Sequence, residues 1–226
     1  MLKGICYHQQ LIGIKYKIKM KYDEKFKFTE TWFDIAIPGW EQVLIPLKLD
    51  IKNVLEVGCF EGRATVWICE NILDDNSIKY NYDIVDTFGG SLNESGMEGT
   101  KERLGNDNFI ENNFLHNISF FDHVNFQIHK GFSQTILPTL TQEEKYDLIY
   151  IDASHRADDT FVDAYYAHKM LKVGGVIIFD DYGWKDPTNM HQVNSPQLGI
   201  EVFGTMYDEC YDVILKGYQI GLKKIK

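Results

Sequence analysis

Short apolar runs alternate along the chain with segments in which apolar residues recur at helical spacing. Five runs have the length of buried strands: residues 53–58, 82–86, 124–129, 146–152 and 174–180. Helical patterns follow near residues 62–73 and over about 156–171. This alternation is typical of a parallel sheet that is covered by helices on both faces. The pattern therefore predicts a doubly wound α/β fold.

The flanking segments predict additions to this sheet. Residues 22–45 have an aromatic, helix-like pattern and are expected to pack outside the sheet. Residues 212–225 predict two strands joined at Lys216-Gly217, and so short a connection can only form an antiparallel hairpin. The pair Gly174-Gly175 is expected to close the helix before it. The long insert 89–120, rich in Gly, Asn and Glu, is expected to be a lid or mobile segment.

The domain organisation follows from length and composition. The chain has 226 residues, of which 44% are hydrophobic, which suits one sizeable α/β domain. We therefore expect a single domain over 1–226, with an N-terminal extension over 1–45 and a core over 50–226. The fold class is α/β, Rossmann-like and doubly wound, with a mostly parallel seven-stranded sheet and an antiparallel C-terminal hairpin.

The net charge and the spacing of the cysteines limit which partners and which cellular compartment are expected. A net charge of −10 disfavours nucleic acid as a partner, because Lys and Arg supply most phosphate affinity. The four cysteines show neither CxxC spacing nor a paired Cys/His pattern, so a reducing cytoplasm is expected. No apolar run approaches the length of a membrane span. Residues 1–22 make a poor signal peptide and are interpreted as a basic tail or as an upstream start before Met20.

The first predicted strand ends in a glycine turn within "VLEVGCFEGRAT". Gly58 and Gly62 allow the backbone to approach a ligand, and the helix that follows offers unpaired N–H donors. The spacing is G-x-x-x-G and not the dinucleotide pattern G-x-G-x-x-G. The second strand ends at Asp86, where an acid can accept from both hydroxyls of a ribose. The pattern predicts a nucleoside site; a solvated strand-end acid is the alternative for Asp86.

Two later strands also end in acids. Asp152 ends the fourth strand, His155 follows three residues later, and Asp180 and Asp181 end the fifth strand. Carboxylates can hold a hard divalent ion, which lowers the pKa of a coordinated hydroxyl, and a histidine can remove its proton. The alternatives are that Asp181 caps a turn, and that His155 caps the helix that begins near residue 156.

Together these residues resemble the class I S-adenosylmethionine-dependent methyltransferases over roughly residues 50–226. The resemblance implies that the glycine loop cradles the methionine end of the cofactor and that Asp86 holds the ribose. The segment "GFSQTILPTL" (131–140) is similar to the family's loop and helix beside the adenine. The resemblance implies these cofactor-binding residues: Glu56, Gly58, Cys59, Phe60, Gly62, Asp86, Thr87, Phe132, Ser133 and Asp152.

The combination "YDLIYIDASH…GGVIIFDDY" is similar to metal-dependent O-methyltransferases, such as catechol O-methyltransferase and the macrolide-sugar O-methyltransferases. That resemblance implies Mg²⁺ on Asp152, Asp180 and Asp181, with His155 as the base and with Asp152 and His155 as the catalytic pair.

The predicted enzyme is therefore an S-adenosylmethionine-dependent O-methyltransferase for a hydroxyl of a small molecule or sugar. Its substrate is expected to be walled by residues 182–196 and by Trp32, Phe33 and Trp40, and the exposed N-terminal aromatics suggest a homodimer. Three alternatives stay open: metal-independent transfer, methylation of ribose or another biopolymer, and a non-catalytic cofactor-binding module.

Overall fold

The computed structural model describes residues 24–90, 108–140, 143–186 and 190–226. The predicted basic tail of residues 1–22 lies outside the described residues. No helix in these ranges combines the length and the apolar character needed to cross a bilayer.

The described residues form a seven-stranded sheet with the order β3-β2-β1-β4-β5-β7-β6. The strands are β1 (Asn53–Val57), β2 (Tyr80–Asp86), β3 (Val124–Lys130), β4 (Tyr146–Ile151), β5 (Leu171–Phe179), β6 (Tyr211–Lys216) and β7 (Ile220–Lys224). Strands β1 to β5 pair in parallel, and β7 is antiparallel to both β5 and β6. This topology confirms the predicted fold class, including the antiparallel hairpin at the C-terminal edge.

Helices cover both faces of the sheet. They are α1 (Ile37–Leu44), α2 (Arg63–Asn71), α3 (Phe109–Ile118), α4 (Ser133–Ile136), α5 (Ala157–Met170) and α6 (Pro196–Met206). Short 3-10 helices lie at Trp32–Ile35, Ile45–Asp50, Leu137–Thr139, Gln192–Asn194 and Asp208–Cys210.

Successive strand residues point to opposite faces, so one strand contributes to two cores. Val54 of β1 packs in a core with residues of α1, α2 and α3, such as Trp40 and Phe114. Leu55, the next residue, packs in a second core with residues of α5 and α6, such as Ala164.

The predicted helix stop at Gly174-Gly175 is wrong. Helix α5 ends at Met170, and both glycines lie inside β5, where the pairing with β4 shifts register between Tyr146 and Leu148. The Lys224 ammonium donates to the carbonyl oxygens of His168 and Leu171, at 3.0 and 2.8 Å. A buried lysine therefore satisfies the end of the helix in place of a glycine turn.

Two further expectations need correction. The insert 89–120 was predicted to be a lid or mobile segment, but its last part forms α3, in which Phe114 is fully buried. Residues 91–107 of that insert lie outside the described residues. The hairpin connection spans the three residues 217–219 and not two.

Candidate active site

The carboxyl ends of the four central parallel strands meet at one edge of the sheet, and short hydrogen bonds join them. The Gly58 N–H donates to Val85 O at 2.8 Å, and the Asp152 N–H donates to Val57 O at 2.7 Å. The Asp180 N–H donates to Ile151 O at 2.9 Å. The strand order reverses beside β1, which is where doubly wound sheets bind ligands.

The glycine turn after β1 needs its two glycines for reasons of packing. Gly58 and Gly62 have φ angles of +84° and +80°, which side-chain-bearing residues rarely adopt. A Cβ on Gly58 would lie 2.1 Å from the carbonyl oxygen of Asp152, and one on Gly62 would lie 2.8 Å from the Phe114 ring. The turn therefore touches the end of β4 directly.

Asp86 ties this turn to β2. Its Oδ2 accepts from the N–H groups of Cys59 and Phe60, at 2.6 and 3.0 Å, and its Oδ1 accepts from the Phe88 N–H at 2.6 Å. These contacts do not fit the alternative of a freely solvated acid. A carboxylate offers about four acceptor positions, so Asp86 retains capacity for one further donor.

The segment predicted to lie beside adenine adjoins the same edge. The Gly131 N–H donates to the backbone oxygen of Asp86 at 2.9 Å, which places the start of α4 next to the end of β2. The Phe132 side chain is 70% exposed, whereas Ser133 is buried. Thr87 accepts a hydrogen bond from the Gly89 N–H at 3.1 Å. The Phe132 ring is thus open to a stacking partner.

Glu56 lies fully buried in β1. Its Oε2 accepts from the hydroxyls of Tyr82 and Thr65, at 2.6 and 2.7 Å, while Oε1 has no hydrogen-bond partner among the described residues. Burial raises the pKa of Glu56 to about 7. The second oxygen of this carboxyl group can accept a donor that the protein itself does not supply.

Asp152, His155 and Asp181 form a compact cluster at the ends of β4 and β5. Each offers one potential metal-binding atom, and these atoms all lie within 4.8 Å of one another. His155 Nε2 lies 2.6 Å from Asp181 Oδ2. The structure thus brings together two of the three predicted metal ligands and the predicted base.

Asp180, the third predicted metal ligand, lies outside this cluster of three. Its Oδ2 accepts from the Tyr150 hydroxyl at 2.5 Å, and its Oδ1 accepts from the Asp181 N–H at 2.7 Å. The same hydroxyl lies 3.0 Å from Asp152 Oδ2. Tyr150 therefore links Asp180 to the cluster.

Burial and mutual repulsion shift the pKa values of two acids of this site. Burial raises the pKa of Asp152 well above its usual range, and the neighbouring charges of Asp180 and Asp181 raise it further. Burial and the Asp181 charge also raise the pKa of Asp180. A bound proton or cation therefore stabilises this set of three carboxylates.

His155 does not cap helix α5. The N-cap residue is Arg156, and the turn before it is held by Ser154, whose hydroxyl accepts from the Arg156 N–H at 3.2 Å and donates to Asp159 at 2.8 Å. The His155 ring instead lies 4.5 Å from the ring of Trp184, between centroids. The imidazole consequently faces Asp181 and the segment after β5.

The predicted substrate wall is only partly where the sequence placed it. Trp184 stands beside the cluster, and Trp32 is 52% exposed with its ring 5.4 Å from the Phe60 ring. Trp40 is fully buried, and Phe33 packs against it. Both belong to the core, so their predicted role as substrate-facing aromatics is wrong; residues 187–189 lie outside the described residues.

Sequence reasoning missed two tyrosines of the site. Tyr150 lies two residues before Asp152 on a strand, and this spacing alone places both side chains on one face. Tyr218 comes from the hairpin turn, and its hydroxyl donates to Asp181 Oδ1 at 2.5 Å. No local pattern marks Tyr218, because it lies 37 residues from its partner.

Residues 55–182 match the family model described as a methyltransferase domain. No curated protein sequence matches the chain.

Several solved structures share the fold. The O-methyltransferase NovP is 15% identical, with a TM-score of 0.61 over 85% of this chain and 80% of that chain. An O-methyltransferase from Bacillus cereus, in complex with SAH (S-adenosylhomocysteine), is 17% identical, with a TM-score of 0.53 over 84% and 81%. MycE methyltransferase, in complex with Mg and SAH, is 11% identical, with a TM-score of 0.55 over 89% of this chain and 52% of that one. At these identities the likeness concerns the fold.

Proposed function

The chain belongs to the methyltransferase domain family, and we propose that it transfers the methyl group of S-adenosylmethionine to a hydroxyl of a small molecule or sugar. The observation that carries this proposal is the direct contact between the glycine turn and the acid cluster. A Cβ on Gly58 would meet the backbone of Asp152, whose side chain belongs to that cluster. A methyl donor on the turn would therefore lie next to the groups that activate its acceptor.

The residues at the strand ends fit this cofactor. Asp86 retains acceptor capacity for a ribose hydroxyl, and the exposed Phe132 ring offers a face to adenine. The unpartnered Oε1 of Glu56 lies in the strand that leads into the turn and suits a donor on the methionine end. We further propose that residues 50–226 form the catalytic core, with residues 1–45 as an N-terminal extension of one domain.

The donor set of the cluster also fits a divalent metal ion. Asp152 and Asp181 supply carboxylate oxygens, and Asp180 lies beside them through Tyr150. Hard ions such as Mg²⁺ prefer oxygen ligands, and a cation offsets the repulsion that raises the pKa of Asp152. When bound, the ion would lower the pKa of an acceptor hydroxyl and orient it. MycE, which shares the fold, was solved with Mg.

The chain's own residues perform the proton transfer in this proposal. The acceptor oxygen forms a bond to the methyl carbon while the carbon–sulfur bond breaks, which leaves a neutral thioether. His155 takes the proton of the acceptor hydroxyl, and Asp181, 2.6 Å away, stabilises the imidazolium that results. No nucleophilic side chain is required, since the sulfonium supplies a good leaving group, the neutral thioether.

The His155–Asp181 contact favours a second candidate, which is the same transfer without a metal ion. A histidine oriented by a carboxylate is a general base in its own right. In that case Asp152 would stay protonated beside Tyr150, as its raised pKa favours.

Chelation separates the two candidates. The protein would be incubated with labelled S-adenosylmethionine and a panel of sugars, nucleotide-sugars and phenols, with methylated products detected by mass spectrometry. We expect EDTA to abolish transfer, Mg²⁺ or Mn²⁺ to restore it, and SAH affinity to stay within about twofold, because the cofactor contacts lie on the turn and on Asp86. Full transfer after exhaustive chelation would establish the metal-free candidate, and methylation of none of the panel would contradict the proposed acceptor class.

A further inference from the structure

We propose that Tyr218, in the turn of the C-terminal hairpin, is a positioning residue that holds the Asp181 carboxylate against His155. The inference rests on the proposed function, because it concerns the same site. It holds whether Asp181 binds a metal ion or acts only on His155, since both roles require a fixed carboxylate.

The backbone at Asp181 is held in an uncommon conformation. Its φ angle is +54°, in the left-handed region that residues other than glycine seldom occupy. Such a conformation persists only where the surroundings determine it. The Asp181 N–H donates to Asp180 Oδ1 at 2.7 Å, and the Trp184 N–H donates to Asp181 O at 2.9 Å. The turn after β5 thus fixes the main chain of Asp181.

The main chain does not fix the carboxylate itself, because the terminal torsion of an aspartate side chain is broad. Here the carboxylate is fixed by two contacts, one to each of its oxygens. Oδ2 lies 2.6 Å from His155 Nε2, and Oδ1 accepts from the Tyr218 hydroxyl at 2.5 Å. Removal of the tyrosine hydroxyl frees Oδ1, and the carboxylate plane can then turn away from the imidazole.

The hairpin turn gives Tyr218 a firm position. The Gly183 N–H donates to Tyr218 O at 2.9 Å, and a Cβ on Gly183 would lie 3.2 Å from the Tyr218 ring. Gln219, the next residue, is buried; its Oε1 accepts from Trp40 Nε1 at 2.6 Å, and its Nε2 lies 3.5 Å from the Tyr150 hydroxyl. The turn is therefore anchored both to the segment after β5 and to the core.

The test compares Tyr218→Phe with Tyr211→Phe, a matched control. Tyr211 begins β6 at the opposite end of the same hairpin, and its hydroxyl contacts His168 Nδ1 at 2.9 Å. Both changes remove one hydroxyl group and one hydrogen bond, but only the Tyr218 hydroxyl contacts Asp181. Crystal structures of both variants would be determined, and kcat, acceptor KM and SAH affinity measured with the acceptor identified by the methylation panel.

We expect the Asp181 carboxylate to leave His155 Nε2 in Tyr218→Phe and to stay in Tyr211→Phe. In Tyr218→Phe, kcat should fall roughly ten- to a hundredfold, because the base is misplaced. KM and SAH affinity should stay within about twofold of wild type, because the change does not alter the groups that bind the acceptor and the cofactor. An unchanged His155–Asp181 contact in Tyr218→Phe crystals, or equal kcat values in the two variants, would overturn the inference. Failure of the wild-type protein to transfer any methyl group would instead refute the proposed function, and the crystal structures would still decide the role of Tyr218.

Discussion

Two glycines with nearly the same φ angle but different surroundings allow a quantitative test of the glycine turn. Gly58 has a φ angle of +84° and Gly174 one of +87°. A Cβ on Gly58 would lie 2.1 Å from the oxygen and 2.5 Å from the carbon of the Asp152 carbonyl group. A Cβ on Gly174 would meet nothing within 4 Å. The substitution of each by alanine therefore separates backbone strain from the close approach of the turn to β4.

The expected magnitudes follow from these contacts. The left-handed conformation costs alanine about 1–2 kcal/mol, and the reduced freedom of the unfolded chain offsets about 0.4–1 kcal/mol of this. Gly174→Ala should therefore destabilise the protein by about 1 kcal/mol. Gly58→Ala adds an overlap with backbone atoms that cannot rotate away, which costs about 1–3 kcal/mol more. Its total of about 2–4 kcal/mol corresponds to a fall in Tm of roughly 10 °C for a domain of this size.

Urea unfolding followed by circular dichroism would measure both free energies, and calorimetry would measure SAH binding. Gly58→Ala should also weaken SAH binding by more than about tenfold, because the overlap displaces the turn and the end of β4 together. Gly174→Ala should leave SAH binding unchanged, since it lies within β5 before the site. Equal destabilisation by the two substitutions, or unchanged SAH affinity in a folded Gly58→Ala protein, would refute the reasoning.

Three further predictions follow from single side chains. Asp86→Ala should weaken SAH binding by about 1.5–3 kcal/mol or more, since it removes the proposed ribose acceptor, two hydrogen bonds to the glycine turn and one to the Phe88 N–H. Unchanged affinity by calorimetry would contradict this. His155→Ala should lower turnover by about 10²–10⁴ with SAH affinity preserved, and turnover within a few-fold of wild type would exclude His155 as the base. The control His116→Ala, at a half-buried position of α3, should leave turnover unchanged. Burial raises the pKa of Glu56 to about 7 from 4.5, so the folded protein keeps a proton that the unfolded chain loses above about pH 4.5. Stability should therefore fall as the pH rises from about 4.5 to about 7, and Glu56→Gln should flatten that part of the curve; an unaltered slope in urea unfolding across this range would show that Glu56 is not responsible.

The sequence was sufficient for the fold class and for the edge of the sheet that carries the site. Short apolar runs and helical spacing are local patterns, and so they identified all seven strands of the described sheet within a few residues. Because parallel strands share one carboxyl edge, the acids at the ends of β4 and β5 were expected to meet, and Asp152 and Asp181 do. The methyltransferase family, which the motifs predicted, is confirmed by the family model. The roles assigned to individual site residues stay predictions.

Local patterns were least informative where a position is decided by distant partners. The glycine pair 174–175 looked like a helix stop, yet Lys224, 53 residues along the chain from Leu171, satisfies the end of the helix. Trp40 looked like a substrate-facing aromatic, yet its N–H donates to Gln219, 179 residues away, and its ring is buried.

The same distinction between local patterns and distant contacts applies to the residues of the candidate site. Residue types and spacing by themselves predicted that the glycine turn, Asp86 and a set of four residues lie at one edge of a doubly wound sheet; the four are Asp152, His155, Asp180 and Asp181. This was possible because strand direction and side-chain alternation are encoded in neighbouring residues. Only the tertiary structure decided that His155 faces Asp181 and that Asp180 lies outside the cluster of three, joined to Asp152 through the Tyr150 hydroxyl. Tyr218 likewise reaches Asp181 only because the hairpin turn packs on the segment after β5, at Gly183. Such contacts depend on how separate elements pack, and no periodicity in the sequence records them.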